Sequence, residues 1–480
     1  MKSNDFSMKT KIVATVGPAC STRVMLRNLM IAGVDVFRLN FSHGKHQDIE
    51  SIIADIEILN RELDLNVAIL ADLQGPKIRI GEVKDGEVTL IDGEKLTITT
   101  VETISDATRL YTSYRGFPKD VKPGEFVLLD DGKLMLKIES TNLQDEVLAT
   151  VVHGGVLSSR KGMNLPDTAV SLPSLTEKDL IDLEFVVHQN IQWIGLSFVR
   201  SADDIRQLRK KIKEFNESAE LRIIAKIEKP QAVAAIDEII AEADGIMVAR
   251  GDLGVELPLE RLPLIQKTLV DKCLAASKPI IIATQMMEGM ISNIRPTRAE
   301  VSDVANSVVD GADALMLSGE TSVGQFPVEV VQTMKKIITE AESYPEIYNH
   351  HHSHAELNDD RYISDVVLVS ACEISKQSHA KAIIAMTHTG YSAFKISSQR
   401  PGARVFIFSN DRQLLRILNL VWGITPFYYD NFTSIDRTLE DIRLILLTDG
   451  FVCEGDLLIN VASSPIYVSG KTNMLKLSYA

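Results

Sequence analysis

Eight short, almost wholly apolar runs recur between residues 11 and 317, most of them separated by stretches with helical spacing. This alternation limits the fold more than any other feature of the chain. The runs are KIVATV (11–16), VDVFRLNF (34–41), VAILAD (67–72), IQWIGLSF (191–198), RIIAKI (222–227), DGIMVA (244–249), PIIIAT (279–284) and ADALML (312–317). Runs with no regular polar face belong to parallel strands covered on both sides. Several intervening segments are amphipathic. In AEVSDVANSVVDG, Val301, Val304, Ala305 and Val308 stand at i, i+3, i+4 and i+7, and Gly311 sits where a helix stops. Eight strands alternating with helices is the count of a (β/α)8 TIM barrel. A doubly wound open sheet shares this local pattern, because spacing alone does not close a sheet.

The rhythm breaks once. After the third run, LADLQGP leads into a segment of different texture, with EVTLI, KLTITT and EFVLLDDGKLMLKI as short alternating strands and Asp131-Gly132 as a hairpin signal. This reads as an all-β insertion over 76–171, leaving the barrel at the C-terminal end of a strand, where active sites of that fold lie. A lid is the functional reading of such an insertion, and a decorative excursion is the bland one. A polar stretch, SYPEIYNHHHSHAELNDD (343–360), marks a second boundary. Its histidines 350, 351, 352 and 354 are read as part of a solvated linker before a divalent metal site, since no cysteine stands nearby. Beyond it KAIIAMT, RVFIFS and ITPFYY alternate with helical segments, a smaller α/β domain. The expected organisation is a barrel over 1–75 and 172–342, a β-barrel-like lid over 76–171 and a C-terminal α/β domain over 343–480.

Composition narrows the class. With 45% hydrophobic and 24% charged residues, disorder and coiled coil are excluded as whole-chain readings. The 480 residues carry 51 basic and 65 acidic side chains, a net charge of −14, which argues against a dedicated nucleic-acid binder and against anionic membranes. No apolar run approaches the ~20 residues that span a bilayer. The start, MKSNDFSMKTKIV, lacks a signal-peptide core, and Cys20, Cys273, Cys372 and Cys453 form no CxxC pair. The expectation is a reducing, cytoplasmic location. Two motifs fail on inspection. Ser469-Gly470-Lys471-Thr472 has Pro465 where a P-loop needs its first glycine, and the Asn431-Phe432-Thr433 sequon has no meaning in that compartment.

The chemistry is carried by strand ends. Arg38, Asn40 and Ser42 stand at i, i+2 and i+4 of the second run, one face of a strand and suited to a phosphate or carboxylate; His43 follows. The third run ends in Asp72, the fifth places Lys226 and Glu228 on one face, and the sixth leads into Gly251-Asp252. Thr284 ends the seventh, and Ser318 follows the eighth. Charged groups in apolar strands must pair or serve an ion. Glu228 and Asp252 are two hard oxygen ligands, the usual protein share of a Mg²⁺ (or Mn²⁺) site. Beside them Lys226 and Arg38 add fixed positive charge, suited to a phosphoryl group in transfer or an enolate. A buried salt-bridge network is the structural alternative. A Mg²⁺-dependent lyase or aldolase working through a pyruvate enolate is the enzymatic rival, and an inactive sugar-phosphate sensor is the non-enzymatic one.

TKIVATVGPA, VFRLNFSHG, AKIEK, GIMVARGDLGVE, ATQMMEGM, RPTRAEVSDVANSVVDGADALMLSGET and the terminal GKTNMLKL together resemble the pyruvate kinase family along nearly the whole chain. The resemblance implies phosphoryl transfer from phosphoenolpyruvate to ADP by a homotetramer with two states. It gives Lys226 the phosphoryl group in flight, Arg38 the substrate phosphate, and Glu228 and Asp252 the Mg²⁺. Gly251, Asp252 and Thr284 would bind the carboxylate, with Thr284 and Ser318 on the route that protonates the enolpyruvate. Asn40, His43, Arg79 and Lys161 would contact the nucleotide. Asn40, Ser42, Asp72 and the Leu73 carbonyl match the family's monovalent-cation positions. Potassium-dependent members read DTKGPE where this chain reads Asp72-Leu73-Gln74-Gly75-Pro76-Lys77, and Lys77 implies a branch that works without K⁺. The loop Thr387-His388-Thr389-Gly390-Tyr391-Ser392 becomes the expected site of a phosphorylated allosteric effector, though such turns are also plain helix caps.

Overall fold

The computed structural model describes residues 8–42, 44–349, 360–464 and 471–480. His43, the histidines at 350–354 and the stretch 465–470 lie outside them.

Eight parallel strands close into a barrel: β1 (Lys11–Val16), β2 (Val36–Asn40), β3 (Ala68–Asp72), β4 (Trp193–Leu196), β5 (Arg222–Ile227), β6 (Gly245–Ala249), β7 (Ile280–Ala283) and β8 (Ala314–Leu317). β1 pairs with both β2 and β8, which closes the ring and settles the barrel against the open sheet. Alternate residues, among them Val13, Leu70, Trp193, Ile224, Met247 and Ile281, fill the interior, while their neighbours pack against the outer helices. Helix ends follow local chemistry. Thr297 and Glu300 form a capping box at the start of the Arg298–Asp310 helix, and Gly311, at φ 101°, accepts the left-handed turn that ends it. The apolar face of that helix differs from the periodic expectation. Val304, Ser307 and Val308 are buried, whereas Val301 is exposed.

The insertion after β3 forms a six-stranded and a two-stranded sheet around its own apolar core. One short helix, Phe117–Asp120, interrupts its β texture where Pro118 starts a turn. The hairpin at Asp131-Gly132 has a four-residue loop, residues 130–133, with Asp130, Asp131 and Gly132 all at positive φ.

The C-terminal unit is a five-stranded sheet in the order β11 (Ile424–Tyr428), β10 (Arg404–Ser409), β9 (Ala382–Met386), β12 (Leu457–Ala462), β13 (Met474–Tyr479). Only β13 runs antiparallel. This unit seals the barrel floor, since Ile417 and Leu420 pack among the interior residues of the strands. Beside them Arg400, 1% exposed, donates to Asp313 Oδ2 at 3.0 Å and to the Gly311 carbonyl at 2.7 Å, with its guanidinium 4.7 Å from the Trp422 ring. Asp313 also accepts from the amides of Ile280 and Trp422, so one carboxylate ties β7, β8 and the C-terminal domain together. Among the described residues no helix is long and apolar enough to cross a membrane. Arg400→Met leaves the Asp313 charge buried without its cation, so it is expected to cost about 3 kcal/mol, read as a lower first midpoint in calorimetric unfolding.

Candidate active site

The functional side chains gather at the C-terminal mouth of the barrel, around a carboxylate. Asp72, at the end of β3 and 1% exposed, takes the Arg38 guanidinium of β2 on Oδ2 at 2.6 Å and the Lys226 ammonium of β5 on Oδ1 at 3.1 Å. The registers Asn40↔Asp72 and Arg38↔Leu70 bring these neighbours together. Burial works to raise the pKa of Asp72, but Lys226 and Arg38 outweigh it and hold the carboxyl below its usual range. Lys226 also pairs with Glu228 at 3.0 Å and donates to Ser197 Oγ at 2.7 Å. Burial opposes its charge, and the two carboxylates prevail, so its pKa is raised. Glu228 accepts from the Phe198 amide at 2.7 Å. Its pKa is raised by burial, against the pull of Lys226, with the Asp252 charge adding to the rise.

The other wall is the short helix Arg250–Glu256, which follows β6 directly. Arg250 anchors it through Asp303, at 2.7 and 2.6 Å, and through the Thr284 carbonyl. The Gly251 amide donates to Thr284 Oγ1 at 2.7 Å, which in turn donates to the Ala283 carbonyl. Thr284 lies at φ 70°, a costly conformation for a β-branched residue, of about 1–3 kcal/mol. The strain places its hydroxyl against the helix start. Ser318 Oγ, just beyond β8, is buried and has no hydrogen-bond partner among the described residues. The Ser318 amide is held by Glu320, which also takes the Met287 amide.

Among the described residues there is no group of three or more His, Cys, Asp or Glu side chains with metal-binding geometry. Two mutually repelling carboxylates, Glu228 and Asp252, fit an ion that keeps its waters and takes further oxygens from substrate, as Mg²⁺ does.

The expected alignment of Arg38, Asn40 and Ser42 on one strand face is corrected at its last member. β2 ends at Asn40, and Ser42 lies in the following turn, where its amide donates to Asn40 Oδ1 at 3.0 Å. The Leu73 carbonyl accepts from Ser197 Oγ at 2.7 Å, and Lys77 reaches Asp252 at 3.4 Å. Lys161 pairs with Asp130 at 2.8 Å and Arg79 donates to the Arg160 carbonyl at 3.1 Å, so both are engaged with partners on the insertion itself. Thr387, His388, Thr389, Gly390, Tyr391 and Ser392 follow β9 and run into the Tyr391–Ser398 helix of the C-terminal unit. Sequence reasoning passed over Ser197 and Thr15 (an acceptor for Arg38 at 3.1 Å), whereas Glu320 stands in the Ser318-Gly319-Glu320 end expected after the eighth run. The polar ends of IQWIGLSF and KIVATV were the available signals for the first two.

A (β/α)8-barrel enzyme with a charged mouth and an inserted second domain is the class these features define. Comparison with known proteins gives the family. Residues 7–331 match the pyruvate kinase barrel domain and residues 365–478 the pyruvate kinase alpha/beta domain. The chain is 42% identical over 470 residues to a pyruvate kinase of Clostridium acetobutylicum, covering 98% of each chain. It is 40% identical to one of Geobacillus stearothermophilus, covering 98% of this chain and 80% of that one. The crystal structure of a pyruvate kinase from Cryptosporidium parvum superposes with a TM-score of 0.92 at 34% identity, covering 98% and 96% of the two chains. The chain belongs to the pyruvate kinase family, phosphotransferases that convert phosphoenolpyruvate and ADP to pyruvate and ATP.

Proposed function

We propose that this chain is a Mg²⁺-dependent pyruvate kinase that needs no K⁺ and answers to a phosphorylated effector. The observation that carries the reading is the buried set Arg38–Asp72–Lys226–Glu228 facing Asp252 across the barrel mouth. Arg38 grips the phosphate of phosphoenolpyruvate. Gly251 and Asp252 amides, with the Thr284 hydroxyl, bind its carboxylate; the substrate takes over the amide that Thr284 now occupies. A β-phosphate oxygen of ADP attacks the phosphorus in line while the bond to the enolate oxygen breaks. Lys226, kept charged by Asp72 and Glu228, neutralises the group in flight. Mg²⁺ or Mn²⁺, held by Glu228 and Asp252, supplies further neutralisation of the phosphoryl oxygens. Thr284 and the unpartnered Ser318 hydroxyl stand on the route by which the enolpyruvate carbon gains its proton. Asn40 and His43 from the barrel, with Arg79 and Lys161 from the lid, hold the nucleotide. Labour divides as 1–75 with 172–342 for catalysis, 76–171 for the lid and 343–480 for regulation, in a cytoplasmic homotetramer.

K⁺ independence is supported by the state of the cation positions. Asn40 Oδ1, the Leu73 carbonyl and both oxygens of Asp72 each already meet a protein donor or cation. Lys77 places a tethered ammonium 3.4 Å from Asp252 at the barrel mouth, a charge of the kind a free cation would otherwise bring. The effector reading is supported by position. The 387–392 loop leaves the C-terminal end of β9, between β10 and β12, where the strand order reverses, and such switch points favour phosphates. Thr387 Oγ1 takes the Gly390 amide at 3.0 Å, which shapes the turn into the Tyr391–Ser398 helix.

A coupled assay is expected to show ATP formation from phosphoenolpyruvate and ADP with Mg²⁺, and Lys226→Met to lower kcat by at least about 10³-fold with far-ultraviolet circular dichroism unchanged. At constant ionic strength, replacing a bulky organic cation by KCl is expected to leave the wild-type rate within about twofold, whereas Lys77→Glu creates a K⁺ requirement; steep activation of the wild type would refute this reading. Titration with fructose 1,6-bisphosphate, ribose 5-phosphate and AMP is expected to shift the substrate affinity with at least one of them. No response to any would remove the effector site.

A further inference from the structure

The helix Arg250–Glu256 is met by the lid at three points. Lys77, where the chain enters the lid, pairs with Asp252 at 3.4 Å. The Gly132 turn lies over Val255, so close that a Cβ on Gly132 would stand 3.7 Å from Val255 Cγ1. Asn164, near the chain's return from the lid, donates from Nδ2 to Glu256 Oε1 at 2.9 Å. Glu256 is 5% exposed, and the same oxygen takes the Lys229 ammonium at 2.5 Å, while Oε2 is buried without a hydrogen-bond partner among the described residues. A carboxylate so far from water depends on its two donors, and one of them belongs to the lid. Lifting the lid therefore breaks a charge-assisted hydrogen bond at a carboxylate that is buried while the lid is down. Glu256 and Asp252 are four residues apart on one helix, hence on one face.

We propose that Glu256 is a positioning residue. With Asn164 and Lys229 it forms a clasp that seats the lid on this helix and fixes where Asp252 and the Gly251 amide stand once the lid is down. The clasp acts through Asp252 and touches neither substrate. It rests on the phosphotransferase reading above for its kinetic consequence, but its mechanical consequence can be read without turnover. Lid and metal-binding carboxylate then move as one body, so nucleotide capture from above and substrate binding from below are coupled through seven residues.

The test is a side-chain exchange. Asn164→Asp sets two carboxylates against each other. Asn164→Asp combined with Glu256→Gln restores a carboxylate–amide pair and leaves Lys229 a carboxylate to pair with. Two readouts are taken: KM for ADP and kcat, separately, at saturating phosphoenolpyruvate and Mg²⁺, and hydrogen exchange in residues 160–172 and 250–256. Asn164→Asp is expected to raise KM for ADP about tenfold with a smaller change in kcat, and to speed exchange in both segments. The exchanged pair should recover most of both effects. If Asn164→Asp does not fold, Asn164→Ala, which removes the donor without adding charge, is read in the same way with an effect of about threefold. Unchanged ADP affinity and exchange in the foldable variant, or no recovery in the exchanged pair, overturns the clasp. A wild type that makes no ATP would instead overturn the activity, and the exchange data would still decide the clasp.

Discussion

The structure depends on the charge balance at Asp72. Two cations, Arg38 and Lys226, and two carboxylates, Asp72 and Glu228, stand within bonding distance in a place water hardly reaches. They cancel, so the apolar barrel interior beneath can tolerate them. The same cancellation leaves no surplus positive charge for two phosphorylated substrates. In the proposed reaction that surplus comes from groups outside the set: the divalent ion, Lys77, and Arg79 and Lys161 of the insertion. The chain as a whole carries −14, so this local collection of cations is built against the general sign of the protein. A strongly acidic exterior repels large anions while the cleft retains small ones.

What the sequence made legible follows from periodicity. A short β-branched run such as PIIIAT reads as a buried strand, and eight of them with amphipathic spacers narrow the fold to a barrel or an open doubly wound sheet, between which only the β1–β8 pairing decides. Positions of charged residues inside such runs, Lys226 and Arg38 above all, could be read as functional because burial of an unpaired charge is so costly. Groups whose role depends on a partner distant in sequence were not legible. Ser197 becomes a ligand of Lys226 only because β4 and β5 are neighbours, and Glu256 becomes interesting only when Asn164, 92 residues earlier, is laid against it. Ser42 was misplaced for a local reason: the alternating rule was extended past the end of β2 into a turn that Asn40 itself nucleates. Val301 belongs to the apolar stripe by spacing yet is exposed, because a helical period gives the direction of the stripe and not which of its members a neighbouring element covers.

Insertion of the lid between β3 and β4 has a geometric reward. Both crossings of the chain lie at the barrel mouth, so the inserted domain is tethered by two short segments beside the site, and its attachment can be stiffened from the barrel. Arg200 does this by donating to the carbonyls of Val170 and Leu172 at 2.6 and 2.7 Å. Thr284 pays for the opposite edge of the cleft with a strained backbone, and the resulting contact with the Gly251 amide keeps the lid's seat in register with β7.

The barrel floor bears on how the protein is made. Ile417 and Leu420 pack against the lower interior side chains, yet they lie a hundred residues beyond the last barrel strand. During synthesis all eight strands leave the ribosome while their common floor is still open to water. The nascent barrel therefore presents an apolar opening until residue 420 has emerged, and exposed apolar surface of that kind favours aggregation. A truncation that deletes the C-terminal domain would not yield a simpler catalyst, because it would remove part of the barrel's own core.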